Sequence, residues 1–264
     1  IENARKLGFD SINVYLIYGL PLQTSERFAH TVGQVVALSP DRVAMFSYAH
    51  VPWLRKQQGA LATRLPEGME KFRIFRAGLE HFLDAGYQYI GMDHFARPTD
   101  ELAVAQRNRT LHRNFQGYTT KAGADLYGMG VSAISSVGAC YAQNDRVVAG
   151  YGERVESRGI ATMRGYRCTG EDLLRRAVIN RILCHGVLHK SEIEREFGVD
   201  FDRTFATELD RLAPFVADGL LDMNGDVMET SLLGRIFIRN IAMVFDPYLE
   251  KQKLDSKPLF SKTL

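Results

Sequence analysis

Between Asp93 and Tyr118 the sequence collects a dense set of side chains that transfer protons or hold anions: Asp93, His94, Arg97, Asp100, Glu101, Gln106, Arg107, Arg109, His112, Arg113, Asn114, Gln116 and Tyr118. An imidazole beside a carboxylate, as at Asp93-His94, serves as acid or base, or binds an anion once protonated. A histidine so placed is equally well explained by a local backbone bond. Arg97, Arg107, Arg109 and Arg113, with Lys121, form a basic group whose guanidinium forks suit carboxylates, so an acidic small molecule is one reading. Solvated loop charges are the other. Gln116 and Tyr118 are placed to orient or donate, and His50 follows Ala49 at another strand end. No Ser-His-Asp triad, HExxH motif or paired-cysteine metal site is present.

Such residues act only if something rigid holds them. The apolar run Tyr87–Met92 predicts a strand that delivers them at its carboxyl end, the usual build of an α/β site. Two strands are expected before it. Phe9–Tyr18 reads as a buried strand ended by Gly19-Leu20-Pro21, and Arg42–Tyr48 as a second. Thr24 is an N-cap for a helix with Phe28, Val32, Val35 and Val36 on one face. Pro66–Ala85 predicts another helix, with Met69, Phe72, Phe75, Leu79, Phe82 and Leu83 inward and Gly86 at its end. Residues 54–66 form a polar connector. The order β-α-β-α-β predicts a parallel sheet with its ligand rim at the strands' carboxyl ends.

After Thr120 the pattern changes. Gly123, Gly128, Gly130 and Gly138 punctuate a small-residue stretch where backbone approaches a ligand, or where glycines serve tight turns; neither GxGxxG nor a Walker loop is matched. From about Glu171 the spacing predicts helices over 172–184, 190–198 and 205–219, then a hairpin around Asn224-Gly225 and a last helix Leu232–Leu249. Three helices and a two-stranded wing outline a winged helix. Its recognition helix, however, carries Glu208, Asp210 and Asp218 against Arg211, which repels phosphate, so structural packing is preferred to DNA binding.

The 264 residues have room for one large domain or two smaller ones, and 45% hydrophobic with 24% charged residues is ordinary for a globular protein. A net charge of +2 asks for neither nucleic acid nor an acidic membrane surface. No run of about 18 apolar residues occurs, and a cytoplasmic location is expected. Cys140, Cys168 and Cys184 are too far apart for a disulfide framework or CxxC site and read as buried, inert thiols. Ile1–Gly8 looks like the last turns of a helix closing on glycine, so a preceding segment is expected.

Six runs carry a resemblance: LIYGLPLQT (16–24), SYAHVP (47–52), GMDHFARPTDELAVAQ (91–106), LHRNFQGYTT (111–120), GMGVSAIS (128–135) and RNIAMVFDPYL (239–249). Together they resemble the oxygen-independent coproporphyrinogen III oxidases, members of the radical S-adenosylmethionine superfamily. The LIYGLP run is shared with many radical S-adenosylmethionine relatives, whereas DHFARP and HRNFQGYTT are more specific to the oxidases. The resemblance implies an α/β fold: the later part of a partial (β/α) barrel with its substrate rim at 1–136, then a mainly helical, winged-helix-like domain at 137–264. It implies decarboxylation of two propionates of coproporphyrinogen III to vinyl groups, giving protoporphyrinogen IX. The implied cofactors are S-adenosylmethionine and a [4Fe-4S] cluster, with a reductase or other electron donor as partner and neither nucleic acid nor membrane.

By the same resemblance, the positions contacting S-adenosylmethionine fall at Tyr15, Ala49 and Ile134, and the substrate candidates are His94, Arg97, Arg113, Gln116 and Tyr118. The family's usual IDLIYGLP pattern has aspartate where this chain has Tyr15. Its CxxxCxxC cluster motif does not occur here and is expected upstream, so the chain by itself is expected to lack oxidase activity. The alternatives are a radical S-adenosylmethionine relative acting as a haem-binding chaperone, and a winged-helix nucleic-acid module.

Overall fold

Alternation along two short strands sets the first layer. In the computed structural model, which describes residues 1–249, a short helix α1 (Glu2–Lys6) leads into strand β1 (Asn13–Tyr18). Helix α2 (Ser25–Leu38) follows, its Arg27 amide donating to the Thr24 hydroxyl at 3.3 Å, and strand β2 (Arg42–Ser47) returns parallel to β1. Because successive side chains point to opposite faces, Val14, Leu16 and Tyr18 pack with Val43 and Met45 on one side. Tyr15, Ile17, Ala44 and Phe46 occupy the other. The expected buried strand Phe9–Tyr18 is therefore shorter and buried on one face only. The Asp41 carboxylate accepts the Ile12 amide at 2.7 Å and pairs with Arg5, which pins the chain outside the sheet until Asn13.

The connector contains a 3-10 helix, Lys56–Arg64, before helix α3 (Gly68–Asp84). Ile74, Phe75, Leu79 and Phe82 of α3 are buried against α2 and the sheet, whereas Met69 and Leu83, expected inward, are exposed. The two helices meet closely at Gly78, where a Cβ would stand 2.5 Å from the Met45 sulfur and 2.9 Å from Phe28.

The third expected strand departs from the parallel plan. Strands β3 (Gln88–Gly91) and β4 (His94–Ala96) form a hairpin, and β4 lies between β3 and β2, antiparallel to both. Only β1 and β2 pair in parallel within this four-stranded sheet. Gly91 (φ +144°) and Met92 (φ +51°) reverse the chain, and the Met45 amide donates to the Asp93 carbonyl at 2.7 Å, completing the turn. His94 consequently sits within a strand, opposite Ala44, and not in a loop beyond one.

Helix α4 (Glu101–Arg107), capped by Asp100, covers the Ala96 end of the sheet through Leu102, Ala103 and Ala105. A hairpin follows, β5 (His112–Asn114) with β6 (Gly117–Thr119). Next comes an antiparallel sheet of β7 (Ile134–Val137), β8 (Cys140–Asn144) and, after helix α5 (Val148–Arg158), β9 (Thr162–Arg167). Strand β7 runs across positions 136 and 137, where the sequence divides by expectation. Gly128 is approached by the chain's own backbone: a Cβ there would meet the Ile134 backbone at 2.7–2.9 Å.

The remaining described residues build a second core. Thr169 and Asp172 form a capping box at the start of α6 (Gly170–His185), and β10 (Val187–His189), α7 (Lys190–Phe197), α8 (Phe201–Thr204) and α9 (Ala206–Ala217) follow. The hairpin β11 (Leu221–Asn224) and β12 (Val227–Thr230) pairs with β10. The expected single helix Leu232–Leu249 is broken into α10 (Leu232–Ile236) and α11 (Ile238–Met243), with Pro247 beyond. The break falls at Phe237, and Gly234 inside α10 packs tightly on the chain, since a Cβ there would fall 1.8 Å from the Leu220 carbonyl oxygen. This core joins the first sheet directly: Met92 belongs to it, and Arg235 donates to the Tyr89 and Ile90 carbonyls at 3.3 and 3.2 Å.

Candidate functional site

The sheet face left free by α2 and α3 carries a column of aromatic rings. Tyr15 stacks on Phe46 with centroids 5.5 Å apart and planes 12° from parallel. Phe46 meets His94 edge to face at 5.9 Å, and His94 meets Tyr118 of β6 the same way at 5.3 Å. The Arg113 guanidinium, from the paired strand β5, lies 5.8 Å from the Tyr118 ring centre. Strand pleating explains the column, because Ala44, Phe46 and His94 share one face by register.

Electrostatics narrows what the column can do. Burial, with Arg113 and Arg42 behind it, lowers the His94 pKa to about 4. The imidazole is therefore neutral at pH 7, which removes the reading of His94 as a protonated anion binder. It remains available as a neutral donor or acceptor, and its Nδ1 is buried with no hydrogen-bond partner. Tyr118 donates its hydroxyl to the Leu183 carbonyl at 3.0 Å, and burial pushes its pKa up, so it stays a phenol. Burial also raises Asp93 against the opposing pull of Arg239 and Arg113. The Arg113 Nε, like His94 Nδ1, is buried without a partner. An unsatisfied buried donor costs about 1–3 kcal/mol.

His94, Arg113 and Tyr118 thus come together. Arg97 does not join them: it donates to the Pro40 carbonyl at 3.3 Å and lies over Tyr87, at the opposite end of β2. Gln116 is exposed at the tip of the β5–β6 hairpin, its amide donating to Asn114 at 2.8 Å. Tyr15 starts the column and is 66% exposed. Ala49 is exposed, with its carbonyl taken by Gln58 at 3.1 Å, and Ile134 lies on β7 opposite Gln143. The His50 Nδ1 is buried without a partner.

Beyond Arg113 a cavity of about 710 Å³ opens between the β5–β6 hairpin, the β7–β8–β9 sheet and α6. Arg176 of α6 reaches into it, donating to the Tyr141 hydroxyl at 3.0 Å with its guanidinium 5.9 Å from that ring. Neither Arg176 nor Tyr141 is marked by the sequence. An arginine inside an amphipathic helix and a tyrosine in a short strand give no local signal, and only their meeting across 35 residues shows them. Burial, with Arg176 behind it, keeps the neighbouring His112 below its ordinary pKa.

The cysteines differ from expectation. Cys184 is buried with its thiol pushed up to about 12, but Cys140 is exposed and Cys168 half-buried. Among the described residues no group of three or more His, Cys, Asp or Glu could hold a metal ion. No described helix is long and apolar enough to cross a membrane.

Comparison with known proteins gives concordant results. The HemN C-terminal domain family matches residues 168–237. The oxygen-independent coproporphyrinogen III oxidase of Escherichia coli K12 is 46% identical over 253 residues, which covers 96% of this chain and 55% of that protein. The oxidase of the same name from Thermostichus vulcanus is 45% identical over 266 residues, covering 100% of this chain and 81% of that one. A solved structure described as coproporphyrinogen III oxidase (HemN) from Escherichia coli, a radical SAM enzyme, superposes with a TM-score of 0.90 at 47% identity. That match covers 94% of this chain and 57% of that structure's chain. The chain thus spans about half the length of the Escherichia coli relative it matches.

Proposed function

Because the chain belongs to the oxygen-independent coproporphyrinogen III oxidase family, we propose that it forms the substrate-side part of such an enzyme. The reaction is the oxidative decarboxylation of two propionates of coproporphyrinogen III to vinyl groups, giving protoporphyrinogen IX in haem and porphyrin synthesis. Each propionate loses carbon dioxide, one β-hydrogen atom to the radical and one electron to an electron acceptor. The observation that carries this reading is the cavity lined by Arg113, Arg176 and Lys121, with Arg113 lying against the Tyr118 ring that flanks His94.

The [4Fe-4S] cluster does not fit this chain's described residues, which group no metal ligands. Its ligands would come from outside this chain. S-adenosylmethionine, when bound with the cluster, supplies the radical that removes the β-hydrogen. Of the residues proposed to meet it, Tyr15 offers an exposed ring face stacked on Phe46. A phenol there replaces the carboxylate usual in the family, so any hydrogen bond accepted at this position is weaker. Ala49 and Ile134 contribute backbone and apolar surface. His94, held neutral, backs the substrate side from within the sheet, and Tyr118 keeps the imidazole in place from the side. Arg113 serves a carboxylate of the substrate. Arg97 and Gln116 stay in the proposal as supports of the rim and not as members of the central group. The electron donor is a reductase or another electron donor.

In this reading the first sheet with α2 and α3 is the later part of a partial (β/α) barrel. The helices from α6 with the β10–β12–β11 sheet form a winged-helix-like unit in which α9 packs one face, Leu209, Leu212 and Phe215, on the core. Its Glu208 is spent on Arg175 at 2.7 Å, which supports packing over nucleic-acid binding. We propose a cytoplasmic location without a membrane partner. An anaerobic product assay on the complete protein that carries this chain tests the function. Protoporphyrinogen IX formed only with S-adenosylmethionine and reductant is expected; haem binding without turnover would point to a chaperone.

A further inference from the structure

The cavity beside Arg113 has an unbalanced charge. Its carboxylates are already committed. Asp125 accepts the Gly138 amide at 2.8 Å, and Asp246 accepts the Tyr248 amide at 2.9 Å. Asp172 caps α6 through Thr169 and accepts the phenols of Tyr248 and Tyr166 at 2.7 and 2.8 Å, which holds it well below the usual carboxylate range. Arg175 is committed too, to Glu171, Glu208 and the Phe245 carbonyl. Arg113, Arg176 and Lys121 differ: among the described residues none of the three has an ion-pair partner, yet all line the same cavity. Ile179, Leu183 and Leu126 make its surface largely apolar between these cations.

Arg176 is also pre-set. Its contacts with Tyr141 fix the guanidinium, and Phe115 holds the Tyr141 ring edge to face at 5.1 Å. A fixed fork loses less entropy on binding than a free lysine. Arg113, with its Nε buried and unpartnered, is the second fork. A volume of about 710 Å³ lies within the roughly 300–1,000 Å³ of small-molecule sites.

We propose that this cavity is a carboxylate clamp, in which Arg176 and Arg113 each hold one carboxylate of an apolar polycarboxylate ligand and Lys121 adds charge at its mouth. The proposal rests on the porphyrinogen reading above and deepens it: the carboxylates held here are those that keep the macrocycle in place while the reacting propionates are presented elsewhere. Arg176, Arg113 and Lys121 are therefore positioning residues, not catalytic ones.

The test is an absorbance titration of the full 264-residue chain with coproporphyrin III, a stable tetracarboxylate, and with its tetramethyl ester. The acid binds the native chain at least tenfold more tightly than the ester, and added salt narrows the gap. Arg176→Met and Arg113→Met each weaken acid binding about 10–100-fold, the loss of one charge-assisted bidentate contact, and leave ester binding unchanged. Arg176→Lys retains an intermediate affinity. Tyr141→Phe, which frees the guanidinium without removing it, weakens acid binding by a few-fold, and its unfolding profile verifies the fold. Equal affinity of acid and ester for the native chain, or unchanged acid affinity in both methionine variants, overturns the clamp. Neither result touches the product assay, on which the functional reading stands or falls separately.

Discussion

A Cβ on Gly91 would stand 2.6 Å from the hydroxyl oxygen of Tyr118. The turn that places His94 and the phenol that flanks it are therefore built against each other, with glycine as the condition for both. Gly91 also holds φ +144°, which disfavours other residues.

Gly91→Ala is expected to cost about 2–4 kcal/mol, combining backbone strain with displacement of the phenol. In a Tyr118→Phe background the clash disappears and the strain remains, so the same substitution costs at least about 1 kcal/mol less. Urea unfolding of the four proteins measures the coupling; additive costs would show that the two residues are independent.

The His94 pKa sets a pH dependence. Its folded value, about 4, lies below the usual 6.5, so between those values the unfolded chain binds the extra proton. Stability from the neutral, buried ring is present above pH 6.5 and is lost as pH falls towards 4. Between pH 7 and 5 the native chain loses about 1–2 kcal/mol more than His94→Gln does. Equal losses in the two would contradict burial of a neutral imidazole. His185, also lowered to about 4 mainly by burial, contributes equally to both proteins.

At Gly78 two effects oppose each other. Alanine in a helix interior gains up to about 1 kcal/mol over glycine. Here its methyl would overlap Met45 and Phe28, and overpacking costs about 1–3 kcal/mol. Gly78→Ala is expected to lower the melting temperature, whereas a rise would mean that the α2–α3 contact is looser than its geometry.

The Arg175–Glu208 pair joins α6 to α9 with both side chains mostly buried, at 14% and 12% exposure. Glu208→Ala leaves part of the arginine's charge uncompensated and is expected to cost about 1–3 kcal/mol in denaturant unfolding. No salt-dependent DNA binding should accompany it, in native or variant chain, because the exposed face of α9 carries Asp210, with Asp218 just beyond it, against Arg211.

Much of this was legible in the sequence where periodicity is long. Thr24 as a cap, Phe28, Val32 and Val35 as a face, and the Asn224-Gly225 hairpin follow from local chemistry. The β3–β4 hairpin was hidden because His94-Phe95-Ala96 is too short to show alternation, and its turn uses Met92 at positive φ, which no turn-residue rule signals. The split of the last helix falls at Phe237, where neither glycine nor proline marks a break in the sequence. Of the candidate site, His94, Arg113 and Tyr118 stand out by type, whereas Arg97 and Gln116 have the right chemistry and sit apart. Arg176 and Tyr141 become visible only once α6 lies beside β8.

We propose that this chain carries the substrate side of a coproporphyrinogen III oxidase and that the radical source is supplied from outside it. Anaerobic assay for 5′-deoxyadenosine and protoporphyrinogen IX, with S-adenosylmethionine, reductant and coproporphyrinogen III, tests it most directly. The complete protein is expected to form both products, and the 264-residue chain neither. A complete protein that forms neither, or a chain that forms 5′-deoxyadenosine by itself, would contradict the account.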